Sequence, residues 1–127
     1  MPTYNVSVAM AGGGTNNTPI STKTANYTVT TADNGTAFNN AGAAGDVTFT
    51  LPTPAEGMTF KFNDLAENTI YLKPPSGVTI TSVLSALTIT ATNALPLLNN
   101  VNGDWIELVG ASATEYYAIA GTANWDV

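Results

Sequence analysis

The chain has 127 residues and a net charge of −6, with three lysines and no arginine. It contains neither histidine nor cysteine, which excludes disulfides, thiol or imidazole catalysis and His/Cys metal centres. Only 9% of the residues are charged, so nucleic acid finds no basic footprint and the polar surface must come from Thr, Asn and Ser.

The length fits one domain with a real core. The start, "MPTYNVSVAMAGGG", has no basic residue and no long apolar run, and so does not read as a signal peptide. Residues 3–9 read as a short strand with Tyr4, Val6 and Val8 on one face. The stretch "AGGGTNNTPISTKTAN" has no periodicity, and residues 1–25 are assigned to an extended N-terminal arm or linker.

From Asn26 the apolar residues alternate with a period of two. The stretch "YTVTTADNGTAFNNAGAAGDVTFTLP" places Tyr27 with Val29, then a turn at Asn34-Gly35, then a loop of small residues. Val47, Phe49 and Leu51 follow on one face, and Pro52 and Pro54 stop that strand. Next, "GMTFKFND" turns Met58, Phe60 and Phe62 inward, while "NTIYLKPP" sets Ile70 and Leu72 against Tyr71 and Lys73. Val78 with Ile80, and Leu87, Ile89 and Ala91, continue the pattern. "ALPLLNNVNGDWIELVG" reads as two strands about a turn at Asn102-Gly103, and "EYYAIAGTANWDV" as a closing hairpin. Short strands at regular spacing predict an all-β fold: a compact antiparallel β-sandwich or small β-barrel over residues 26–127. The uncharged interval 74–103 alternates and contains Pro96, unlike the roughly 20 mainly apolar residues of a spanning helix, so no membrane partner is expected.

Reactive chemistry is sparse. The carboxylates Asp33, Asp46, Glu56, Asp64, Glu67, Asp104, Glu107, Glu115 and Asp126 sit mostly in turns and at strand ends, where solvated charge is the ordinary role. "NDLAEN" and "NNVNGD" gather oxygen ligands of the kind calcium takes, but neither matches a calcium loop, and turn chemistry accounts for both. No Ser-x-x-Lys spacing supplies a base for a hydroxyl nucleophile. Sequons at Asn5, Asn16, Asn26 and Asn34 are what chance yields in a chain this rich in Asn and Thr. The expectation is therefore no catalytic residue, no metal and no cofactor. Trp105, Tyr116, Tyr117 and Trp125 cluster late in the chain as candidates for core, for a subunit or partner interface, or for ligand stacking; Tyr4, Val6 and Val8 join them as interface candidates in the arm.

The segments "YTVTTADNGTAFNNAGAAGDVTFTLPTPAEGMTFKF", "NTIYLKPPSGVTI" and "GDWIELVG", with the closing "GTANWDV", resemble a module of tailed-bacteriophage virion proteins. Tyr27, Asp33, Gly35, Phe38, Val47, Phe49, Leu51, Pro52, Gly57, Phe60, Gly121, Thr122 and Trp125 carry the resemblance, over residues 26–127 or about four-fifths of the chain. It implies a non-enzymatic structural protein: a capsid decoration (cement) protein, with a small fibre or tail-tip component binding a host receptor or glycan as the alternative. The implied partners are the major capsid protein and two further copies of the chain in a homotrimer. The implied location is the capsid surface of the virion, reached from the host cytoplasm during assembly. Only 25 residues precede the module, which favours decoration over attachment to a long shaft.

Overall fold

The computed structural model describes residues 17–127. Among the described residues eleven strands run in order: β1 (Ile20–Thr22), β2 (Tyr27–Thr28), β3 (Ala37–Asn39), β4 (Val47–Thr50), β5 (Thr59–Asn63), β6 (Ile70–Lys73), β7 (Thr79–Ser82), β8 (Thr90–Ala91), β9 (Leu97–Asn99), β10 (Trp105–Ser112) and β11 (Glu115–Gly121). A 3-10 turn, Thr31–Asp33, lies between β2 and β3. The strands form a seven-stranded sheet, β1-β3-β5-β10-β11-β7-β8, and a four-stranded sheet, β9-β6-β4-β2. Among the described residues no helix is long and apolar enough to cross a membrane.

The all-β class agrees with the period-two pattern, but the antiparallel expectation is corrected. Of nine strand pairings among the described residues, five are parallel, and neither sheet closes into a barrel. The cause lies in how the chain crosses. Strands β1, β3 and β5 stack in parallel in the large sheet, while β2, β4 and β6 stack in parallel in the small one. Parallel neighbours need a long crossover, and here each crossover is itself a strand of the opposite sheet. The first half of the chain therefore coils around the core. Only β10 and β11 form a long antiparallel hairpin, seated in the middle of the large sheet between β5 and β7.

Several local turns have a different consequence from the hairpins they suggest. Asp33 accepts from the Thr30 backbone N–H (2.9 Å) and from the Tyr27 hydroxyl (2.9 Å), which closes the 3-10 turn. The Thr36 N–H then donates to the Asp33 carbonyl across Asn34-Gly35, with Asn34 in extended backbone and only Gly35 at positive φ. That turn sends the chain from β2 in one sheet to β3 in the other. Asn102-Gly103 likewise joins β9 of the small sheet to β10 of the large one. After β11 there is no closing hairpin: Asp126 instead exchanges both backbone hydrogen bonds with Leu98 next to β6. Part of the stretch assigned to the arm, Ile20–Thr22, is strand β1 of the large sheet, paired with β3; residues 1–16 lie outside the described residues.

The core lies between the sheets. Val47, Phe49, Ile70, Leu72 and Leu97 from the small sheet meet Phe38, Phe60, Phe62, Ile106, Leu108 and Tyr116 from the large one. Phe38 and Phe62 stack with centroids 5.5 Å apart, and Phe49 reaches both from the opposite sheet at 5.4 and 5.1 Å. One glycine has a packing role that alternation alone does not reveal. Gly110 is buried on β10 with the Ala55 carbonyl so close to its Cα that any Cβ would overlap that oxygen. Gly110→Ala is accordingly expected to destabilise the fold by about 1–3 kcal/mol, the usual range for overpacking. Gly45→Ala, where the added Cβ meets nothing, is expected to be near neutral. Urea melts of the two variants check this; equal midpoints would contradict the close approach at Gly110.

Candidate functional site

Two places on the described residues bring together side chains with more than a packing role: the outer face of the large sheet and a buried polar cluster at the end of the core.

On the outer face, inward residues of β10 and β11 alternate with outward ones. Val109 stands directly opposite Tyr117, and Tyr117 and Ile119 are 37% and 40% exposed. Trp105 is half-buried on the same face, with the Lys61 ammonium 4.6 Å from its ring centroid. Lys61 also faces Glu107 across the β5–β10 pairing. Beside this stripe lies a groove of about 460 Å³ lined by residues including Thr18, Ile20, Thr59, Lys61, Asn63 and Glu107. It holds one carboxylate and one ammonium on an otherwise neutral wall.

The predicted aromatic group is thereby divided. Trp105 and Tyr117 present surface, whereas Tyr116 and Trp125 are buried in the chain's own core. The Tyr116 hydroxyl donates to the Pro52 carbonyl at 2.6 Å, and burial pushes its pKa well above the ordinary phenol value. The Trp125 indole N–H donates to the Trp105 carbonyl at 3.1 Å, where the Thr122 N–H also arrives at 3.0 Å. "GTANW" thus works as a clasp on β10. Tyr4, Val6 and Val8 lie outside the described residues.

The second place was visible only in fragments. "NDLAEN" and "NNVNGD", far apart in sequence, fold against one another: the Asp64 N–H donates to the Asp104 carbonyl (2.8 Å) and the Gly103 N–H to the Asp64 carbonyl (2.7 Å). Asn40 joins from the end of β3, its amide donating to Asp64 Oδ1 at 3.2 Å while its own oxygen accepts the Leu65 N–H at 2.7 Å. Asn99 donates to Asp104 Oδ2 at 2.8 Å. Asp64, Asn40 and Asn99 are fully buried and Asp104 is 7% exposed. Asp64 Oδ2 has no hydrogen-bond partner among the described residues. Among the described residues no three His, Cys, Asp or Glu side chains gather, so the cluster holds two carboxylates set among amides. Its sequence signal was the recurrence of Asn followed by Asn or Asp after β3, β5 and β9, at Asn39-Asn40, Asn63-Asp64 and Asn99-Asn100. The signal was legible, but the convergence of the three ends was not.

The sequence matches no known protein-family profile and no curated relative.

Burial raises the pKa of Asp64; the Asn40 amide and the Ala66 N–H oppose that rise, and the Asp104 charge adds to it. A folded-state value above the unfolded one means that the native state binds the proton more tightly. In chelator-treated buffer, Asp64 therefore contributes stability that is fully present below the ordinary carboxylate pKa and lost as pH rises through the folded value. Asp64→Asn removes this dependence. It is expected to be more stable than the parent at neutral pH, with the difference shrinking as pH falls into the ordinary carboxylate range. Urea melts at neutral and acidic pH check it, and a variant uniformly less stable than the parent would contradict it.

Proposed function

We propose that the chain is a non-enzymatic structural protein of a phage virion, a capsid decoration protein that binds the outer surface of the assembled head as a homotrimer. The observation that carries the reading is the outer stripe of β10 and β11. Trp105, Val109, Tyr117 and Ile119 line one face on the middle of the large sheet, with Lys61 and Glu107 as its charges and Ile119 at a bulge of β11. Aromatic and aliphatic groups held on a paired hairpin lose little freedom on docking, which suits an interface with coat protein or a second copy. A partner that binds the assembled lattice better than free subunits stabilises that lattice by mass action. The resemblance to virion modules supports the same reading: its marker residues Phe38, Phe49, Phe60 and Trp125 are core, and Asp33 and Gly35 make a turn.

The groove beside Trp105 favours a second reading, a fibre or tail-tip component that binds a host-surface glycan. Lys61, Asn63 and Glu107 offer hydrogen bonds there, next to an aromatic ring. In either reading the N-terminal arm is a candidate docking segment. Because β1 belongs to the sheet, the deletion that tests the arm removes residues 1–16 and spares Ile20–Thr22.

Cosedimentation of the purified chain with heads stripped of decoration tests the proposal. The full-length chain is expected to pellet with the heads, and Ile119→Lys to lose binding at least about tenfold while melting normally, since a charge would enter a desolvated contact. Absence of binding by the full-length chain would overturn the decoration reading. Retention of a glycan ligand, with copies seen at the tail by electron microscopy, would establish the fibre reading instead.

A further inference from the structure

The buried cluster leaves one oxygen without explanation. Asp64 is fully enclosed, its Oδ1 accepts the Asn40 amide (3.2 Å) and the Ala66 N–H (3.4 Å), and its Oδ2 has no partner among the described residues. An ionised carboxylate in such a place is costly unless something neutralises and coordinates it. No lysine does so: the groups acting on Asp64 are Asn40, the Ala66 N–H and a second negative charge, Asp104. Lys23 and Lys61 are engaged elsewhere, over the Tyr27 and Trp105 rings, and Lys73 stands opposite Thr50 at the far end of β6 from Asn99. Hydrogen bonding to protein therefore leaves both the charge and Oδ2 unanswered.

We propose that a hard divalent cation, calcium in particular, binds between Asp64 and Asp104, with Asp64 Oδ2 as its buried protein ligand. The donor set is entirely oxygen, in a chain with no His and no Cys, which selects hard cations over zinc or copper. Calcium accepts carboxylate, amide and backbone oxygens in irregular geometry and completes its shell with water, whereas magnesium demands a near-octahedral set. Two carboxylates balance its charge. Asp104 keeps slight exposure, and so marks the side from which an ion enters. Bound there, the ion would join the turn after β5 to the turn before β10, two segments that already meet through the Asp64–Asp104 and Gly103–Asp64 backbone hydrogen bonds. This inference is independent of the virion reading.

The test uses the full chain, stripped with chelator and then titrated. Millimolar calcium is expected to raise Tm by about 5 °C or more, the response to a ligand well above its Kd that binds only the native state. Terbium is expected to luminesce through excitation of Trp105, the neighbour of Asp104 in the chain, and calcium to displace it. Asp64→Asn should fold, lose the calcium-dependent shift and lose the terbium signal; Asp104→Asn should weaken both if the first variant fails to fold. A wild-type chain with neither a calcium shift nor terbium emission would overturn the proposal. So would a full calcium shift retained by Asp64→Asn, or a Tm that responds to acidification but not to the metal, which assigns the compensating charge to a proton.

Discussion

The architecture depends on the contact among Phe38, Phe49 and Phe62. Phe38 and Phe62 are register partners on the parallel strands β3 and β5, and their rings stack at 15°. Phe49 comes from the other sheet and sits against both. Because the chain changes sheet at each strand from β1 to β6, no local hairpin holds these strands together. What holds them is the removal of these rings from water, with each aromatic pair adding about 0.5–1.5 kcal/mol beyond area burial. The long hairpin β10–β11 then docks on β5 and extends the same core with Ile106, Leu108, Tyr116 and Ala118.

A core wound in this way must turn the chain repeatedly at its ends, and each turn leaves backbone donors to satisfy. At one end asparagines meet that demand. Asn39 accepts the Ala41 N–H, Asn40 the Leu65 N–H and Asn99 the Val101 N–H. The abundance of Asn in a chain so poor in charge thus has a structural origin, and it sets Asp64 and Asp104 in the same buried place. The fold and the proposed ion site come from one arrangement: strands ending side by side, each on an amide or a carboxylate.

Much of this was legible in the sequence. The inward residues Val47, Phe49, Phe60, Phe62, Ile70, Leu72, Val78 and Ile80 follow from alternation alone and are buried. The turns at Asn34-Gly35 and Asn102-Gly103 follow from residue chemistry, and Gly35 and Gly103 do adopt positive φ. Strand partners were not legible. A glycine turn reads the same whether the chain folds back on its neighbour or passes to the opposite sheet, so the turn at Asn34-Gly35 did not reveal that Ala37–Asn39 beyond it is a strand of the other sheet. Alternation also could not tell which of two adjacent aromatics faces inward, and the pairing settles it: Tyr116 lies over Phe60 and Tyr117 points out. The stretch from Tyr27 to Pro52, apparently a reversal between two strands, is one full passage around the core.

The central claim is that the first half of the chain winds between two sheets in parallel register. Backbone NOE measurements on labelled protein address it most directly. The account predicts parallel-type contacts linking Thr48 to Tyr71 and Phe38 to Phe62, with none joining β2 to β3 as antiparallel neighbours. Strong antiparallel Hα–Hα contacts across Asn34-Gly35, pairing β2 with β3, would contradict it.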